Sequence, residues 1–215
     1  MLKVGILISN YLPLLKALME GVNNGIIPAE ISLIIANEHN EKALRWAKEA
    51  GIPTNVIKHQ DYPSRETFER AIHDCLQHHN IQFVCLAGFE RILTPWFVEK
   101  WWDRLVNCHP ALLPAFKGMY TCSRALKVGV KFSGFTIHFV RPPVDEGPIV
   151  IQGVVPVLPD ETPRTLRIRI SQDEKRGYVQ VLRWIAMNRV KVVDECVIVD
   201  DIDYPSQGLL NPCTD

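Results

Sequence analysis

The sequence predicts an α/β fold: a doubly wound, mostly parallel sheet with an antiparallel C-terminal part. Three observations carry this. Short β-rich apolar runs alternate with amphipathic helical stretches through the first half of the chain. One run, Phe83–Ala87, is apolar throughout, as suits a parallel strand covered on both faces. Beyond Gly134 the alternation stops, and two strand-like runs follow one another across a tight polar loop.

In order, Lys3–Ser9 is the first strand and Pro13–Asn23 a helix. Ile31–Asn37 is a second strand and Glu41–Ala50 a helix, broken by Gly51-Ile52-Pro53. Thr54–His59 is a short third strand. Ser64 opens a helix to about His78, with Glu66 and Glu69 in its first turns, an N-cap followed by acidic residues. Phe83–Ala87 follows, then a short helix near Pro95–Lys100 and a strand at Arg104–Cys108. Phe135–Val140 and Pro148–Val157 form an antiparallel hairpin, followed by a helix over Thr162–Asn188 and one strand at Val190–Val199. Residues 1–199 make a single domain. Residues 200–215, with Pro205, Gly208 and Pro212, form an irregular tail.

With 215 residues, 47% of them apolar, the chain can bury an ordinary core. Basic and acidic residues balance at 24 each, so the chain lacks the basic field that nucleic acid or a membrane surface requires. The expected partners are small-molecule substrates. The opening run MLKVGILISN is too short to span a membrane. The six cysteines include no CxxC pair, which suits reduced thiols in a cytoplasmic protein. His78 and His79 have no ligand at suitable spacing and read as a solvated helix end, so no metal is expected.

The densest unusual segment is Val106–Gly118, where two prolines and a glycine fix a non-helical loop leaving a strand. Asn107 and His109 lie two apart at that strand's end, so they share a face where open α/β sheets bind ligands. Taken alone, Asn107 also reads as a turn cap and His109 as a satisfied core histidine. A second polar cluster, Arg141–Pro148, holds Asp145, for which a turn role beside Gly147 is equally open.

LVNCHPALLPAFKG resembles the strand-and-loop signature of the formyltransferases that use 10-formyltetrahydrofolate. LAGFERILTPWFV, GFTIHFV and VDEGPIVIQ resemble further blocks of that family in the same order, so the likeness runs from Met1 to about Val199. It implies a Rossmann-like fold and transfer of formyl from 10-formyltetrahydrofolate to the amine of glycinamide ribonucleotide, in de novo purine synthesis. The implied catalytic group is Asn107, His109 and Asp145, with Asp145 holding the imidazole and favouring its protonated form. The folate would lie against Arg91, Ile92 and Leu93 and the loop from Arg141 through Val144 to Asp145. Glu90, Asn107, Gly118 and Glu174 would flank the amine substrate, with Glu174 on its ribose diol. His138 would stand behind the site or serve as a core histidine.

The family's G-x-G-S-N turn, which cradles the substrate phosphate, is replaced here by Asn10-Tyr11-Leu12-Pro13-Leu14. Leu12 adds bulk where glycine lets backbone approach an anion, and Pro13 lacks an N–H. Asn10, Leu12 and Pro13 nevertheless hold the substrate-binding positions. Glu90, Tyr120, Cys122 and Glu146 also depart from the family pattern. Two further readings follow: the same chemistry on another amine, such as an amino-sugar nucleotide, or a folate-binding homologue without catalysis.

Overall fold

The computed structural model describes residues 1–9 and 11–203. The elements are β1 (Leu2–Ile8), α1 (Leu12–Asn23), β2 (Ala29–Ala36), α2 (Glu41–Glu49), β3 (Thr54–Val56), α3 (Arg65–His78), β4 (Phe83–Leu86), α4 (Pro95–Lys100) and β5 (Leu105–His109). They continue with α5 (Thr121–Val128), β6 (Phe132–Phe139), β7 (Ile149–Pro156), α6 (Pro163–Ala186), β8 (Val190–Val193) and β9 (Cys196–Val199).

Seven strands form one sheet in the order β3-β2-β1-β4-β5-β6-β7. The first five are parallel; β6 pairs antiparallel with β5, and β7 pairs antiparallel with β6. Both the doubly wound sheet and its antiparallel edge agree with expectation. Strand order reverses at β1, so the crevice for ligands lies over the carboxyl ends of β1 and β4.

Strand periodicity sorts the core into two layers. Val4, Ile6 and Ile8 of β1, with Phe83 and Cys85 of β4, pack with Leu14, Leu15 and Leu18 of α1 and with α6. Leu7, Val84 and Leu86 point the other way, against Phe68, Ile72 and Leu76 of α3 and Phe97 of α4. Ser64 and Thr67 form a capping box that starts α3, and Thr162 and Thr165 do the same for α6. Tyr178 ties α6 to the sheet, its buried hydroxyl reaching the carbonyls of Leu86 (3.0 Å) and Val106 (3.2 Å).

Two segments differ from expectation. Val190–Val199 is not one strand but the hairpin β8–β9, because Asp194 and Glu195 both adopt left-handed backbone and reverse the chain. Helix α5 was not anticipated; it begins after Tyr120, which also sits in the left-handed region (φ 57°). The tail beyond residue 203 lies outside the described residues. Among the described residues no helix is long and apolar enough to cross a membrane, and no cluster of side chains could hold a metal ion.

Candidate active site

A cavity of about 440 Å³ opens over the carboxyl ends of β1, β4 and β5. Its lining includes two groups in direct contact: His109 and His138 around Asp145, with Asn107 on the same strand as His109, and Arg167 against Tyr11; Leu14 and Thr121 also line it. Asn107 and His109 share a face because β5 alternates, and Asn107 pairs across the sheet with His138 of β6. Cys108 between them points to the opposite layer, beside the ion pair formed by Arg167 and Glu174.

Asp145 arrives on the loop between β6 and β7. Its backbone is left-handed (φ 56°), so the turn role that the sequence left open and the approach to His109 coexist. Its Oδ2 lies 3.3 Å from His109 Nδ1 and accepts the Gly118 N–H at 2.8 Å. Its Oδ1 lies 3.7 Å from His138 Nε2. Gly147 closes this loop: a Cβ there would come within 1.7 Å of the Phe139 carbonyl oxygen, so only glycine fits.

Asp145 favours the protonated ring, as expected, but burial outweighs it. Burial pushes His109 below the ordinary histidine value; Asp145 opposes this without cancelling it. Burial would raise Asp145, but His138, the Gly118 N–H and His109 together hold it below the ordinary carboxylate value. Near neutral pH the pair is therefore a carboxylate beside a neutral ring. His109 Nε2 faces the Phe116 carbonyl at 3.0 Å, which can only accept, so Nε2 carries the hydrogen and Nδ1 the lone pair. That lone pair faces Asp145. Taking a proton on Nδ1 would relieve the mismatch.

A model of the formyl transferase family matches residues 2–182. This chain belongs to that family. Phosphoribosylglycinamide formyltransferase of Haemophilus influenzae is 33% identical over 211 residues, covering 98% of this chain and all of that protein. The trifunctional purine biosynthetic protein adenosine-3 of Chironomus tentans is 41% identical over 197 residues; the match takes 90% of this chain but only 14% of that protein's length. The crystal structure of glycinamide ribonucleotide transformylase 1 from Symbiobacterium toebii superposes with a TM-score of 0.90 at 37% identity. It covers 94% of this chain and 95% of its own.

Within this formyl transferase fold, the remaining candidate residues divide. Arg91, Ile92 and Leu93 line the cavity, as do Glu90, Gly118 and Val144. Glu90 donates its N–H to Ser9 Oγ at 2.9 Å. Arg141 also borders the cavity, but its guanidinium is engaged by Asp103 (2.6 Å) and Glu195 (2.7 Å) and stacks on Trp102. Leu12 and Pro13 form the first turn of α1, where the wall is made by Tyr11 and Leu14 instead. Asn10 lies outside the described residues.

Glu174 is not on the cavity wall. It is fully buried on α6, paired with Arg167 Nη1 at 2.7 Å and reached by the Tyr11 hydroxyl at 3.4 Å. Burial raises its pKa, against the opposing pull of Arg167. Tyr11 and Arg167, which do form the wall there, were not singled out from the sequence. The available signal was spacing: Arg167, Ser171 and Glu174 fall at i, i+4 and i+7, one face of a helix.

Proposed function

We propose that this chain transfers the formyl group of 10-formyltetrahydrofolate to the amine of glycinamide ribonucleotide. The observation that carries the reading is the convergence of Asn107, His109 and Asp145 on one cavity wall at the carboxyl edge of the sheet, with His109 Nδ1 3.3 Å from Asp145. The names of the relatives supply the acceptor.

The lining supports a folate as the donor. Phe89, Leu93 and Val140 offer apolar surface to a flat ring, and the backbone of Arg91–Leu93 offers polar groups to its edge. As the amine attacks, a new C–N bond forms and charge gathers on the formyl oxygen. The amide of Asn107 donates to that oxygen, an interaction worth about 3–4 kcal/mol in comparable sites. The amine must lose a proton, and the folate nitrogen gains one as its bond to carbon breaks. Because Nδ1 faces Asp145, the first proton reaches His109 through that carboxylate; Asp145 stabilises the imidazolium so formed, which returns a proton by the same route to the folate nitrogen as its bond to carbon breaks.

A second reading, the same chemistry on another amine, is favoured by one observation. Pro13 removes an N–H from the first turn of α1, and Tyr11 at the N-cap makes no side-chain capping bond. A formyl-transfer assay with 10-formyltetrahydrofolate against glycinamide ribonucleotide and a panel of amino-sugar nucleotides separates the two. Turnover of the ribonucleotide at low KM supports the first reading. Folate binding without turnover of any amine would leave only a binding protein.

A further inference from the structure

We propose that Arg167 is the group through which this cavity recognises an oxyanion, a phosphate or a carboxylate, on the amine that accepts the formyl group. The inference rests on the formyl-transfer reading and names the residue that selects the acceptor. Three arginines border the cavity: Arg91, Arg141 and Arg167. Arg141 is spent on Asp103 and Glu195, and Arg91 stands among the residues assigned to the folate. Of the three, only Arg167 belongs to the group formed with Tyr11 and Glu174, beside Cys108.

Its placement is built from two sides. The guanidinium lies 4.4 Å from the centre of the Tyr11 ring, and Nη1 bonds Glu174 Oε2 at 2.7 Å. Tyr11 is itself anchored, its hydroxyl 2.5 Å from Ser171 Oγ. Gly88 makes room for that ring: a Cβ there would stand 2.4 Å from the Tyr11 Cβ. The pairing with Glu174 is single, not fork-to-fork, and Glu174 Oε1 is buried without a donor. Among the described residues, Arg167 Nε and Nη2 therefore remain donors for a ligand. The side chain keeps 29% of its surface exposed, and Arg167 lines the cavity. The guanidinium edge offers an anion donors beside a first turn of α1 that Pro13 leaves one N–H short.

The test is calorimetric binding of glycinamide ribonucleotide, the phosphate-free glycinamide riboside and glycine to wild type, Arg167→Lys and Arg167→Met. The wild type should bind at least one anionic amine about 10- to 100-fold tighter than the riboside, as a charged hydrogen-bond partner implies. Arg167→Met should erase that preference, and Arg167→Lys should retain part of it. Preference for the ribonucleotide marks a phosphate and preference for glycine a carboxylate. Because Arg167→Met leaves Glu174 without its cation, the double variant Arg167→Met/Glu174→Gln must show the same loss. A preference that survives both variants overturns the proposal, as does a wild type that binds neither anionic amine better than the riboside. Anion preference without formyl transfer to any amine would instead sink the formyl-transfer reading.

Discussion

The two polar groups that line the cavity are held by different means. In the group of Asn107, His109 and Asp145, a strand end and a hairpin loop bring His109 and Asp145 to face each other directly, and the electrostatic mismatch between them is left standing. In the other group, Tyr11, Arg167, Ser171 and Glu174 interlock through a ring stack, an ion pair and a hydroxyl bond. The first arrangement is poised to change protonation; the second is built to stay as it is. A site that must move a proton leaves one interaction unsatisfied, whereas a site that must select a ligand fixes its receptor beforehand.

The strongest way to break this contrast is to alter the poised group. Asp145→Asn should lower kcat by about 10²–10⁴, since a positioned acid–base group contributes on that scale. Folate affinity, measured by titration, should change far less. Equal losses in the two would mean that Asp145 serves binding and not chemistry.

A smaller effect lies in the pH dependence. His109 sits below the ordinary histidine value of about 6.5, so the acid limb of kcat/KM should fall on the acid side of that value. Asp145 is the strongest influence raising His109, so in Asp145→Asn the limb should move further toward acid. Stability follows the same sign. Both groups are depressed in the folded state, so the unfolded chain binds more protons, and stability is lost as pH falls through each folded pKa. A limb above neutrality, or an upward shift in the variant, would show that burial does not govern His109.

In the interlocked group the expected costs are structural. Gly88→Ala places a Cβ against Tyr11 at a backbone φ of 71°, a left-handed geometry that costs a residue with a Cβ about 1–2 kcal/mol. Chemical denaturation should report that loss, and acceptor KM should rise as the ring shifts. Unchanged KM with reduced stability would separate Tyr11 from acceptor binding.

The parallel strands were legible because they are buried on both faces, which leaves continuous apolar runs such as Phe83–Leu86. The turn inside Val190–Val199 was hidden because Asp194 and Glu195 reverse the chain without a glycine. Helix α5 was obscured by its start, where a left-handed Tyr120 stands in place of a capping side chain. In the candidate site, Asn107 and His109 could be paired from strand period alone. Asp145 could be linked to them only through resemblance, since the β6–β7 hairpin brings it there. The Tyr11–Ser171 contact joins positions 160 residues apart, and no local pattern encodes it.

The smallest expected effect tests what keeps Arg167 in place. Tyr11→Phe removes a hydroxyl that bonds Ser171 and reaches Glu174, while leaving the ring on which the guanidinium stacks. Loss of one hydrogen bond should cost about 1 kcal/mol in denaturant unfolding. If stacking and the Glu174 pair suffice to orient Arg167, acceptor KM should stay within about twofold of wild type, because a Phe ring presents a similar face to the cation. A rise comparable to that of Arg167→Met would instead make the hydroxyl the anchor. The receptor would then be fixed by Ser171 through Tyr11, and the ring would be only its spacer.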